Sequence, residues 1–371
     1  MFEKIKGNFG FGCMRLKMNG GEVDYDEFNR MIDAFIKAGF NYFDTAHGYI
    51  DGKSETALRD CLVARYDRED YVLANKLSEW FFKTEEEIVP LFEKQLELCG
   101  VDYFDFYFFH CIHRRAYEKH KNCHSFEILQ NLKAQGKIKH IAMSFHDTAD
   151  VLDMILSEQP SIEVVQLQFN YLDFDDPAVQ SKKCYDVAVK HGKKVIVMEP
   201  VKGGALVNLP EKAAKLFDDL NGGSYASYAI RYAASFPQVF MVLSGMGNMD
   251  MINDNLSYMT DFKPLNAEEF AATDKAREII REVRQIPCTK CNYCVELCPK
   301  NIQISGLFEA CNSFLAAKNT KDDAKKLIPT MGGAATDCIK CGKCENQCPQ
   351  NIKIREHLET IVKDFGLKEN V

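Results

Sequence analysis

Eight cysteines near the C-terminal end constrain this chain more tightly than any other feature. Cys288, Cys291, Cys294 and Cys298, followed by Pro299, form one run, and Cys338, Cys341, Cys344 and Cys348, followed by Pro349, form a second. Both read C-x-x-C-x-x-C-x-x-x-C-P. Three thiolates at that interval on one tight loop can reach three irons of a single cube, and the proline turns the chain away after the fourth. Structural zinc also takes four thiolates and favours C-x-x-C pairs, but it has no use for a third cysteine at the same interval or for a fourth before proline. Disulfides fit less well, because the other cysteines among the fifteen show no pairing pattern. Two 4Fe-4S clusters are expected.

The double run resembles that of bacterial two-cluster ferredoxins. The resemblance implies that the fourth cysteine of each run crosses to the other cluster. The ligand sets would then be Cys288, Cys291, Cys294 and Cys348 for one cube, and Cys338, Cys341, Cys344 and Cys298 for the other.

The 371 residues leave room ahead of these runs for a barrel of about 250 residues. Helical and strand periodicities alternate there. Phe28, Met31, Ile32, Phe35 and Ile36 lie on one helical face, opened by an Asp24–Glu27 capping box and stopped by Gly39. Thr84 with Glu87 suggests a second box, and Gly100 closes that helix. Strands are expected at 9–14, 40–43, 71–75, 104–109, 138–144, 164–168, 194–198 and 239–243. Helices are expected between them and after the last, near 249–258. Eight alternations with apolar strands suit a (β/α)8 TIM barrel better than a doubly wound sheet, and no G-x-G-x-x-G follows any strand. The expected division is a barrel at 1–262, a linking helix at 263–286 opened by Asn266 and Glu269, and a small α+β iron-sulfur domain at 287–371. That domain would carry flanking helices at about 307–317 and 354–365.

A net charge of -8 argues against nucleic acid or an anionic membrane as the default partner. No apolar run reaches membrane-spanning length, and Met1 to Lys6 carries charges where a secretory leader has an apolar segment. A cytoplasmic, reducing location is expected, where many thiols are acceptable.

In a TIM barrel the side chains at the C-terminal strand ends face the active site. Asp44 follows the second strand, Tyr49 lies in the loop beyond it, Lys76 follows the third and His110 the fourth. Together they suit proton transfer to a carbonyl. A tyrosine of reference pKa about 10 is a poor acid at neutral pH, and an adjacent lysine cation would favour its phenolate. Asp44 would hold the lysine, and neutral His110 would orient the substrate oxygen.

These residues sit in text that is similar to the aldo-keto reductase family: Phe43-Asp44-Thr45-Ala46-His47-Gly48-Tyr49 with Ser54-Glu55, Ala74-Asn75-Lys76, Phe106 to His110, and Gly136-Lys137-Ile138-Lys139 leading to Ser144. The resemblance covers about residues 1–262. It implies hydride transfer between NADP(H) or NAD(H) and a small aldehyde or ketone, with Tyr49 as acid and Lys76, Asp44 and His110 as its helpers. It further implies that Ser144, Gln166 and Asn170 meet the nicotinamide amide. Gly203, Gly204, Ser244, Gly245 and Met246 would meet phosphate, and Asn255 the adenine.

Three departures bear on the cofactor. Met198 stands where the family stacks an aromatic ring on the nicotinamide, and Gly245-Met246 and Met251 stand where it places a basic pair for the 2'-phosphate. Phe145, followed by His146, replaces an asparagine. NAD(H), or a flavin at the same phosphate site, therefore stays open beside NADP(H). His110, Cys111, His113, His120, Cys123 and His124 also crowd the stretch after the fourth strand, with a spacing that fits no closed zinc site.

The two halves pose a physical problem. Nicotinamide delivers two electrons as one hydride, whereas each cluster takes one at a time. The leading expectation is a carbonyl oxidoreductase whose clusters dock a redox partner or sense redox state. The alternatives are a nucleotide-binding electron-transfer or sensing module without turnover, and a flavin-linked reductase.

Overall fold

The structure, a computed structural model, describes residues 2–282, 285–315 and 335–365. They form two compact units. One comprises residues up to Pro200 together with Gly223–Phe270; the other comprises Val201–Gly222 together with the described residues from Ala271 onward.

Eight parallel strands close the first unit into a barrel: β1 Phe9–Gly12, β2 Tyr42–Asp44, β3 Val72–Ser78, β4 Phe104–Ile112, β5 Ile138–Phe145, β6 Val164–Gln168, β7 Lys194–Met198 and β8 Val239–Gly245. Each pairs with its neighbours in sequence, and β1 pairs with both β2 and β8. Helices follow the strands, among them Tyr25–Lys37, Lys53–Leu58, Ile88–Cys99, Ser125–Ala134, Ala149–Glu158, Ser181–Lys190, Tyr225–Ala234 and Met249–Met259. This is the (β/α)8 TIM barrel that the alternation predicts.

The interior follows from the two-residue period of a strand. Tyr42, Val72, Ala74, Phe106, Phe108, Ala142, Val164, Ile196, Met241 and Leu243 pack into one apolar cluster inside the barrel. Large rings there demand small neighbours. A Cβ on Gly10 would lie 2.6 Å from Leu243 Cδ2 and 3.0 Å from the Tyr42 ring, so β1 has room only for hydrogen at that position. Phe2 joins this cluster from the N-terminal segment, its ring stacked on Phe240 at 4.9 Å and edge-on to His140 at 4.8 Å. The fully buried rings of the cluster, Phe106 and Phe108, each contribute about 1.5–3 kcal/mol by leaving water.

The helix starts divide the capping expectations. Asp24 accepts from Glu27 N at 3.1 Å, but Glu27 accepts from Met249 N at 2.9 Å instead of reaching back, and so ties the first barrel helix to the last. The Thr84–Glu87 box does not form: Glu85–Glu87 is a 3-10 turn, and Glu87 accepts from Lys83 N at 2.6 Å. The Asn266–Glu269 box forms in both directions, with bonds of 2.8 and 2.9 Å. The same Glu269 receives a bidentate pair from the mostly buried Arg231.

Two helices were not expected, although in Glu211–Leu220 the residues Ala213, Leu216, Phe217 and Leu220 do fall at helical spacing. Arg114–Asn122 buries only Ala116, Tyr117 and His120, and Glu211–Leu220 only Ala213 and Phe217. Among the described residues no helix is long and apolar enough to cross a membrane.

In the second unit Ile286, Ile302, Ile304, Leu307, Phe308, Leu358, Ile361 and Phe365 form a core around the cysteine runs. Helix Ile304–Leu315 starts earlier than expected, and the last two residues of that expectation, 316 and 317, lie outside the described residues. So do residues 366–371 of the expected C-terminal domain. The tail helix is Ile354–Phe365, as its amphipathic pattern predicts. Val201–Gly222, which follow β7 in sequence, group with this unit and not with the barrel.

Candidate functional site

The period that fills the barrel also places its polar tier. On β3 the alternate positions run Val72, Ala74, Lys76, Ser78; on β2 they run Tyr42, Asp44; on β4 Phe106, Phe108, His110. Each face changes from apolar to polar at the strand's C-terminal end, at the last residue on β2 and one step before it on β3 and β4. Ser144 on β5, Gln166 on β6 and Met198 on β7 continue the tier, with Ser144 level with Gln166.

Lys76 is its centre. Its Nζ donates to Asp44 Oδ1 at 2.5 Å and to the Thr45 carbonyl at 2.7 Å, and is hydrogen-bonded to Tyr49, whose ring centroid is 4.9 Å away. Lys76 and Asp44 are buried while Tyr49 is half-exposed, so the pair is shielded and the phenol reaches the solvent side. Burial opposes the ammonium charge, but Asp44 and Tyr49 outweigh it and hold Lys76 above the ordinary lysine value. The His110 ring is 5.9 Å from that of Tyr49, and His110 Nδ1 is 2.6 Å from Ser78 Oγ. Burial first, then the Lys76 cation, then His146 and His120 push His110 well below the usual histidine range, so it is neutral at pH 7.

A second polar network fixes this set from behind. Glu55, fully buried, is 2.7 Å from His47 Nδ1 and accepts from Asn75 Nδ2 at 2.8 Å. Asn75 Oδ1 takes the Lys76 N–H at 2.8 Å and Gln95 Nε2 at 2.9 Å, and Tyr107 donates to Gln95. His47 and Glu55 of the quoted motif thus lock the backbone of Lys76 and stand behind the reacting groups. Sequence reasoning missed Ser78, Gln95 and Tyr107. Ser78 was within reach of it, because it shares the face of Lys76 two residues on and pairs across the ladder with His110.

The residues expected around a cofactor are placed unevenly. Ser144 Oγ accepts the Cys111 N–H at 2.7 Å, which leaves its hydroxyl proton to donate elsewhere. Asn170 is spent within the protein: its amide donates to Asp173 and to the Glu199 carbonyl, and its oxygen accepts from Leu172 and Asp173. Ser244 accepts from Asn255, which in turn accepts from Tyr258, so these two hold each other beneath exposed Gly245 and buried Met246. Arg15, in the loop after β1, brings a cation to this side that the sequence reading passed over. Its stem lies about 3.3 Å from where a Gly245 Cβ would stand, and its guanidinium is 3.9 Å from Glu199. Gly203 and Gly204 belong to the second unit, and a Cβ on Gly203 would lie 2.6 Å from the Thr289 carbonyl oxygen. Gly203 therefore serves close packing beside Cys288.

The histidines and cysteines after β4 point to different neighbours. His113 caps Arg114–Asn122, His124 pairs with Glu85, and Cys123 faces the Lys83 carbonyl. His120 lies fully buried among Phe82, Phe109 and Phe126, and burial pushes it down to about 3. On unfolding, His110 and His120 regain their ordinary affinity for protons near pH 6.5, so below that pH the unfolded chain binds more protons than the folded one. Each is expected to cost the barrel about 1.4 kcal/mol of stability per pH unit as pH falls below about 6.5. Urea unfolding between pH 6.5 and 4.5 measures this, and His120→Leu should remove one histidine's share of the slope.

Both cysteine runs fold alike. Lys290, Asn292 and Asn301 in the first and Lys340, Gly342 and Asn351 in the second all have positive φ, and each run ends in a four-residue helix, Tyr293–Glu296 and Lys343–Asn346. Two cavities result. One is lined by Cys288, Cys291, Cys294 and Cys348 with Thr289 and Gln350. The other is lined by Cys298, Cys338, Cys341 and Cys344 with Ile339 and Arg355. Burial pushes the Cys344 thiol up to about 11 and raises Cys294 as well, so a thiolate there calls for a compensating cation. Among the described residues no three such donors converge on one point as around a single metal ion. Thiols spread around a cavity suit a cube, which presents its irons at separate corners.

The architecture and the polar tier together define a barrel reductase joined to an iron-sulfur module, and comparison with known proteins gives the family. Residues 8–278 match the aldo/keto reductase family and residues 287–352 the 4Fe-4S dicluster domain. The chain belongs to the aldo/keto reductase family and carries a 4Fe-4S dicluster domain behind its barrel. It is 24% identical to L-galactose dehydrogenase of Arabidopsis thaliana over 70% of this chain and 86% of that protein. An uncharacterized oxidoreductase of Bacillus subtilis is 21% identical over 71% of this chain and 90% of its own length. Among solved structures, the holo form of an aldo-keto reductase from Bacillus halodurans superposes with a TM-score of 0.60 at 24% identity, covering 72% of this chain and 91% of that one. An aldo-keto reductase from Klebsiella pneumoniae in complex with NADPH gives 0.58 at 18%, covering 72% and 90%. At these identities the structural likeness speaks for the fold.

Proposed function

We propose that this protein is a carbonyl oxidoreductase that transfers hydride between NAD(P)H and a small aldehyde or ketone, with Tyr49 as the general acid. The observation that carries the reading is the Asp44–Lys76–Tyr49 chain of contacts facing neutral His110. A bound reduced nicotinamide supplies the hydride, and the residues supply the proton and the position. Asp44 keeps Lys76 cationic, and the cation beside the phenol stabilises the phenolate that remains once Tyr49 has given up its proton. With Ser78 donating to His110 Nδ1, Nε2 carries a proton that can orient the carbonyl oxygen towards Tyr49. Ser144 and Gln166 line the same face and are the amide contacts, and Arg15 with Gly245 is the phosphate side. The test is anaerobic consumption of NADPH or NADH with a panel of small aldehydes and ketones. A chain that binds the nucleotide and consumes none of them would remove the reading.

The same proposal places one 4Fe-4S cluster on Cys288, Cys291, Cys294 and Cys348 and the other on Cys338, Cys341, Cys344 and Cys298, supported by the two four-cysteine cavities. Such clusters supply one-electron transfer.

A second reading has its own support. Gly203 is packed against Thr289 and Asn170 is engaged within the protein, so two contacts expected for a nucleotide are not offered. A nucleotide held by fewer contacts than a productive hydride geometry needs would make the barrel a non-catalytic, nucleotide-binding module for electron transfer or redox sensing. Under it NAD(P)H binds without turnover and cluster oxidation state changes a partner's affinity. Acid release of a flavin from anaerobically purified protein would favour the flavin-linked alternative.

A further inference from the structure

The two four-cysteine cavities differ in what surrounds them. The set with Cys288 is the more enclosed of the two, although Asn292 on its rim is exposed. Thr289, Pro349 and Gln350 are buried, and the buried Lys202 ammonium stands 3.3 Å from Gln350 Oε1. Around the set with Cys341 the chain is open. Cys341 is itself exposed, and Ile339 beside it is 58% exposed, a large apolar side chain left in water.

The rim of the open cavity is basic. Lys300, Lys340, Lys343 and Arg355 line it and all are exposed. Two of them are balanced, Lys340 by Glu359 at 2.7 Å and Arg355 by Glu345 at 2.6 Å. Lys300 and Lys343 have no carboxylate partner among the described residues, so the face is locally positive on a chain whose net charge is -8. An apolar centre with a charged rim is the usual anatomy of a transient interface, and rim charges act on encounter rate and salt dependence.

We propose that this face docks a small acidic protein that carries one electron, with Ile339 as the apolar anchor and Lys300 and Lys343 as the steering charges. Electrons enter the protein at the open cavity, and the more enclosed one is the inner site. One electron leaves the carrier, which is oxidised by one equivalent. It is taken up at the site of Cys298, Cys338, Cys341 and Cys344, which is reduced by one; no bond forms or breaks and no proton moves. The proposal rests on the reading that two clusters are held there.

The test uses the full chain loaded with iron and sulfide, and an acidic flavodoxin as the probe. Cluster reduction by reduced flavodoxin is followed by stopped flow, and the affinity for oxidised flavodoxin by titration. Expected is a rate that falls about tenfold or more as salt rises from about 20 to 300 mM. Lys300→Glu with Lys343→Glu should lower both the low-salt rate and the affinity by about tenfold and flatten the salt dependence. Reduction by the methyl viologen cation radical should not slow in that variant. A native rate indifferent to salt overturns the proposal, as does a variant that binds and accepts electrons from flavodoxin like the parent. Should the variant lose its clusters, the native salt dependence decides alone. A native chain that binds no iron fails both this proposal and the cluster assignment, whereas a loaded chain with a flat response fails only the docking face.

Discussion

Tyr49→Phe is expected to lower kcat/KM for carbonyl reduction by about 10²- to 10⁴-fold, the range a positioned general acid contributes. That loss corresponds to about 3–5 kcal/mol of transition-state stabilisation. The exchange removes one hydroxyl from a half-exposed ring and one hydrogen bond from Lys76, whose ammonium keeps Asp44 and the Thr45 carbonyl, so the barrel should stay folded and the nucleotide affinity unchanged. This makes it a sharper probe than Lys76→Met. Removing the Lys76 ammonium leaves the Asp44 carboxylate buried without its partner at 2.5 Å, which costs about 3–5 kcal/mol of stability and mixes a folding defect into the kinetics. Carbonyl reduction by Tyr49→Phe at the native rate would remove Tyr49 from the role of acid.

The second large effect is on iron. Cys298→Ser is expected to cost about four of about eight bound irons, and the irons lost should be those of the second run. Pairing it with Cys341→Ser separates crossed from uncrossed ligation. If Cys298 and Cys341 serve one cluster, the double variant still holds about four irons. If each run closes on itself, the double variant holds none. Iron and sulfide analysis of the purified chain reads the difference. Cys341 is the suitable partner because it is exposed, so its exchange disturbs little of the core.

What could be read in advance, and what could not, follows from the length scale of each signal. The barrel was legible because its strands and helices repeat a period over many residues, and the polar tier because Asp44, Lys76 and His110 stand one step beyond apolar runs such as Phe106 to Phe109. The cysteine runs were legible because ligation needs side chains at set intervals on one loop. Helix Arg114–Asn122 was not, since one of its three inward residues, His120 in the last turn, reads as polar but is buried as an aromatic. The role of Gly203 was not, because its constraint is the backbone of Thr289, far away in sequence. Thr84 and Asp24 show the same limit in small: both begin a plausible capping box, and a distant partner, Met249, claims the carboxylate in one case. The division of the chain also escaped a linear reading, since Val201–Gly222 leave the barrel's sequence to join the second unit.

The most direct test of the account is an anaerobic single turnover of the cluster-loaded chain with NADPH dideuterated at C4 of the nicotinamide and a small aldehyde, repeated with NADH. The account predicts one deuterium on the alcohol carbon of the product, abolished in Tyr49→Phe, with the brown cluster absorbance unchanged by the nucleotide. Bleaching of that absorbance by NADPH alone, with no deuterium in any alcohol product, would contradict it and make the barrel a port for electrons in place of a hydride site.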